Sequence, residues 1–94
     1  MAQKPPALIE DMQTLYYADV RPYKEQLKKK MPKVPDYLVL IYWPTDKSYC
    51  ILGTDAAFEH WDEYTNYAFK EVEPALEFAD TILHLPDSFS WIKV

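Results

Sequence analysis

From Asp55 to Leu85, Phe58, Trp61, Thr65, Ala68, Phe69, Val72, Leu76, Ala79 and Leu83 recur at three- and four-residue steps. That spacing lines them along one side of a helix, while Glu59, Asp62, Glu63, Glu73, Glu77 and Asp80 fall in the opposite sector. The pattern predicts one long amphipathic helix with an oily face for a core and an acidic face for solvent or a partner. Gly53, the only glycine, ends the preceding strand, and Thr54 or Asp55 supplies the capping oxygen. Pro74 removes one amide donor from the middle of the pattern, yet both halves share one apolar phase, so the helix is expected to kink there and continue. His84 and Pro86 mark its end.

Upstream, Leu8, Met12, Leu15 and Tyr16 fit a short amphipathic helix opened by Pro5 and Pro6. Pro22 interrupts it and starts a second short helix, with Tyr23, Gln26, Leu27 and Met31 as a thin apolar edge. Met31 to Pro35 reads as an extended connector. The period then changes. Tyr37–Trp43 is a continuous β-favouring run, Pro44 to Lys47 has turn chemistry, and Ser48–Leu52 is a second run, which together predict a hairpin with a four-residue loop. Ser88 to Val94 alternates and is expected to pair beside the hairpin as a third strand. The expected fold is one α+β domain over residues 1–94. In it, a small, mainly antiparallel sheet made of the hairpin and the C-terminal strand packs against an N-terminal helical pair and the long, Pro-kinked helix.

Composition narrows the class. Ninety-four residues, 49% hydrophobic and 16% aromatic, suit a single well-filled core and argue against disorder. Cys50 is alone, no signal-like leader opens the chain, and no apolar run reaches membrane-spanning length, so a cytoplasmic location is the expectation. The net charge of -5 is uneven. Residues 1–33 hold seven Lys/Arg and four Asp/Glu, or +3, whereas residues 34–94 hold three and eleven, or -8.

Chemistry-bearing constellations are sparse. His60 and His84 would stand about 36 Å apart on one helix at 1.5 Å per residue, so they cannot share a site. His60 with Glu63, or Asp80 with His84, has the spacing of two metal ligands without the further donors a site needs. Cys50 sits mid-strand among apolar residues, where a thiol packs rather than reacts, and one glycine cannot build a phosphate-cradling loop. No catalytic residue, cofactor or metal is expected.

Two surfaces stand out. Lys28, Lys29, Lys30 and Lys33 beside Tyr23 and Tyr37 could hold single-stranded nucleic acid, although the remaining two thirds of the chain would oppose phosphate approach. The stronger candidate is the acidic row Glu59, Asp62, Glu63, Glu73, Glu77 and Asp80, about 32 Å long on a straight helix, bordered by Tyr67 and Phe78. Its charges are spaced more widely than the phosphates of a nucleic-acid strand, and Asn66 and Lys70 interrupt it. The sequence therefore points to a small acidic, non-enzymatic protein-binding module. Its sharpest form is an inhibitor of the phage or immunity type, occluding a basic nucleic-acid-binding or catalytic cleft. Nucleic-acid binding through Lys28–Lys33 is the alternative, and a homo-oligomeric subunit a further one.

Overall fold

The computed structural model describes residues 5–29, 34–63, 69–83 and 91–94, with the backbone alone for 79–83. Sheet, not helix, dominates the described residues. Six antiparallel strands, β1 (Leu8–Ile9), β2 (Met12–Asp19), β3 (Tyr37–Trp43), β4 (Ser48–Thr54), β5 (Trp61–Glu63) and β6 (Ile92–Lys93), form a half-barrel sheet ordered β1-β2-β3-β4-β5, with β6 also on β2. A 3-10 turn (Arg21–Tyr23), the one-turn helix α1 (Lys24–Leu27) and helix α2 (Val72–Leu83) complete it. This overturns the expected fold of a small sheet against a helical pair and one long helix.

The N-terminal helix is a hairpin instead. Glu10 and Asp11 turn the chain between Ile9 and Met12, which pair, with Glu10 at φ 55°. Leu15 is an extra residue in β2: Thr14 pairs with Ile41 and Tyr16 with the adjacent Leu40. The bulge reverses the strand's alternation, so Met12 and Tyr17 enter the same core although five residues apart. Such a phase jump produces helix-like spacing in a strand. Pro22 does open a helical turn, the place where its missing amide has no cost.

The β3–β4 hairpin lies where the sequence places it, pairing Trp43 with Ser48 across the four-residue loop, with Lys47 at φ 51°. Gly53 does not end β4; it pairs with Leu38 inside it. A Cβ there would stand 3.0 Å from the Cβ of Pro35, so glycine answers a close approach rather than a turn. The C-terminal strand forms as β6 but pairs Tyr16 and Tyr17 of β2, not the hairpin. Residues 88–90 of that expected strand lie outside the described residues.

Asp55 to Leu85 is not one helix. Residues 55–60 turn, β5 follows along β4, and α2 begins only at Val72. Pro74 is therefore a first-turn residue, where the amide it lacks would have no intrahelical partner; it neither kinks nor breaks α2. The helix seats Val72, Ala75 and Leu76 on the sheet at the expected three- and four-residue spacing.

Both faces of the sheet are buried, whereas helices were expected on one. On the helix side Leu38, Leu40 and Ile51 meet Val20, Leu27 and Ala75, with Tyr16, Tyr49, Phe69 and Trp91 around them. On the other side Tyr37, Val39, Ile41, Cys50 and Leu52 meet Tyr17, Met12, Ile9 and Phe58, with Trp61 and Val94 packed alongside. Tyr37 through Ile41 are at most 1% exposed, which is why that strand reads as an unbroken apolar run rather than an alternation.

Candidate functional site

The acidic residues singled out by the sequence fall on three different elements. Glu59 is exposed in the turn before β5. That turn is organised by Asp55, whose Oδ1 accepts the amides of Glu59 (2.9 Å) and His60 (3.4 Å) while Oδ2 lies 3.1 Å from His60 Nδ1. Asp55 thus caps, as its residue type suggested, but it caps a turn. The His60 side-chain bond first, with the two amides adding to it, holds the Asp55 carboxyl below its usual range, against an opposing desolvation that outweighs either amide alone.

Asp62 and Glu63 are exposed on β5, and a strand sends neighbours to opposite faces. Glu63 pairs with Leu52, whose side chain lies on the side away from the helices, so Asp62, paired with Gly53, lies on the helix side. Glu73 and Glu77 point outward from α2, one turn apart. Glu73, in the first turn, also complements the positive end of the helix dipole. Phe78 is half-buried, its ring 5.4 Å from that of Phe69, so it packs rather than borders an open face. The backbone of Asp80 continues α2, its side chain lying outside the described set, and Tyr67 lies outside the described residues. A single 32 Å helical row therefore does not exist: strand period separates Asp62 from Glu63, and Glu73 and Glu77 belong to a different element.

A charge division does persist. Arg21 grips Asp19 through Nε (2.9 Å) and Nη2 (2.7 Å), Lys24 pairs with Asp36, and Lys28 lies 3.5 Å from Glu25. The Arg21 side-chain bond, then its backbone amide, lower the Asp19 carboxyl, with desolvation opposing. Glu59, Glu63, Glu73 and Glu77, by contrast, carry no ion pair among the described residues. Among the described residues, Arg21, Lys24 and Lys28 near α1 thus have acidic partners within the fold, whereas Glu59, Glu63, Glu73 and Glu77 have no cationic one.

For the basic cluster, Lys28 and Lys29 are exposed beyond α1, whereas Lys30 and Lys33 lie outside the described residues. Tyr37 is fully buried under Phe58 and beneath the Arg21 guanidinium, 5.0 Å from its ring centroid, and Tyr23 packs on the helix-side core. Neither ring forms an open stacking platform. Cys50 is buried in β4, as its neighbours predicted. Among the described residues no three His, Cys, Asp or Glu side chains converge, and no helix is long and apolar enough to cross a membrane. No protein-family profile, curated protein or solved structure matches the chain at a significant level.

Sequence reasoning missed the 55–60 turn with its strained Phe58 (φ 58°) and the Asp19–Arg21 fork. The first was masked because Phe58 and Trp61, three apart, satisfy a helical period while entering the core from a turn and a strand. The second was visible as an acid–base pair two residues apart at a strand end before proline.

Proposed function

We propose that this chain is a non-enzymatic, acidic protein-binding module that docks through its β5–α2 flank on a basic surface of a partner. Its most concrete form is an inhibitor that occludes a basic nucleic-acid-binding or catalytic cleft. The observation that carries the reading is the uneven compensation of charge: Arg21, Lys24 and Lys28 are satisfied within the fold, while Glu59, Glu63, Glu73 and Glu77 stand exposed without a cation among the described residues. Uncompensated surface carboxylates steer a cationic partner and set its orientation, and they do so without any hydrolytic or redox group. Glu73 and Glu77 on α2, with Asp62 on the same side of the sheet, form the centre of the surface. Glu59, in the turn before β5, lies at its rim, and Glu63 projects from the opposite face of the sheet. A cytoplasmic setting belongs to the same reading, since a lone buried Cys50 requires no oxidising compartment.

The test is a quantitative affinity capture from the native host, comparing the wild type with the Glu73→Gln/Glu77→Lys double variant. Glutamine at 73 avoids placing a cation at the helix N-terminus. A specific partner should be retained by the wild type and its affinity reduced about tenfold or more in the variant at low salt, with the difference narrowing as salt rises and screens the wild-type attraction. Equal retention by both proteins would refute the docking surface. Steep, salt-dependent binding of a DNA or RNA oligonucleotide would instead transfer the function to Lys28 and Lys29.

A further inference from the structure

The segment from Asp55 to Glu63 closes one side of the sheet while holding two unfavourable features in place. Phe58 sits at φ 58°, a region bulky L side chains rarely adopt, because its ring is buried against Tyr37 with centroids 4.8 Å apart. Thr54, directly before the turn, is 2% exposed and its hydroxyl has no hydrogen-bond partner among the described residues. Lifting the segment relaxes the first and hydrates the second. Closure rests on the burial of Phe58 and the packing of Trp61, on the Asp55 carboxylate with its two amides and His60, on the Asp55 amide to the His60 carbonyl (3.1 Å), and on a ladder of three residues.

We propose that Asp55 to Glu63 is a strap, latched by the Asp55 carboxylate, that opens as a unit from an otherwise folded domain and uncovers the β4 edge at Gly53. The backbone of β4 identifies the reporter. Tyr49 and Asp55 turn their amides outward, to the carbonyls of Phe69 (2.7 Å) and His60 (3.1 Å), and alternate strand residues turn the same way. Gly53 therefore faces Asp62 across the β5 ladder, whereas Thr54 faces inward, its carbonyl accepting the Asp36 amide at 2.9 Å, and Leu52 likewise faces β3. An open strap leaves the Gly53 backbone groups unpaired, as on any sheet edge able to accept another strand.

Native-state amide exchange by NMR tests this on the full chain. In the wild type the Gly53 amide should exchange at least tenfold faster than that of Leu52. Asp55→Ala, at a surface position, should speed Gly53 exchange about tenfold, the usual weight of hydrogen bonds to a charged group. Thr54→Val should slow it severalfold, because the open state no longer gains a hydrated hydroxyl. These shifts run in opposite directions, so general destabilisation of the fold cannot produce both. Equal exchange of Gly53 and Leu52 would overturn the proposal. So would a Gly53 rate indifferent to either substitution, which would mean that β5 frays without the turn moving.

Discussion

Asp19 and Asp55 each fix a backbone turn with a carboxylate, and each couples that turn to proton concentration. Asp19 accepts the Arg21 amide (3.0 Å) and guanidinium; Asp55 accepts two amides and faces His60. Both carboxyls titrate lower in the folded chain than an unfolded aspartate, whose value is about 3.9. The unfolded state then binds more protons around and between those two values, so the contribution is complete only above about pH 5 and is lost as pH falls through the folded-state values. Thermal midpoints measured from pH 6 to pH 2 should drop in the carboxylate range. Asp19→Asn should lower the neutral-pH midpoint and flatten the acid limb, and a limb of unchanged depth in that variant would remove Asp19 from the account.

At the scale of elements, Pro74 separates two accounts of the same residues. Inside a continuous helix, replacing it with alanine would stabilise the protein by about 3 kcal/mol. As a first-turn residue of α2 it forfeits no hydrogen bond, so Pro74→Ala should change stability by no more than about 0.5 kcal/mol in chemical denaturation. The hairpin was legible because Tyr37–Trp43 and Ser48–Leu52 are apolar, β-branched or aromatic and are separated by turn residues. Leu8 to Tyr16 was misread because the Leu15 bulge breaks the alternation and leaves four apolar residues in helical register. Phe58 and Trp61 misled similarly, since three-residue spacing cannot distinguish a helix turn from a left-handed residue followed by an edge strand. The candidate acids were legible as exposed residues. Their grouping was not, because it depended on the helix.

For the molecule as a whole, one central sheet separates two cores that share a strand. Leu38 and Leu40 belong to one, and Tyr37, Val39 and Ile41 to the other, so neither core can be lost while β3 remains in place. Trp61 reports the side away from the helices and Trp91 the helix side. Denaturation curves of variants keeping only one of these tryptophans should each be normalised against calorimetry or circular dichroism on the same variant. In each, fluorescence and secondary structure should be lost at the same denaturant concentration. A separate early transition at Trp91 would show that the helix layer melts away from an intact sheet. The same architecture explains how so short a chain uses its many aromatic residues: a sheet covered on both sides has two interiors to fill.

The bulge at Leu15 makes β2 sensitive to length rather than to side-chain identity. Deleting that one residue would turn Met12 and Thr14 together to the opposite face and bring Gln13 in where they stood, and would carry β1 along, because β1 is registered on Met12 and Gln13. The Pro44 to Lys47 tip carries no such register, so changes in chain length there leave every strand facing as before. Lineages of this protein should accordingly vary in length at the tip and keep a constant count between Ile9 and Tyr17.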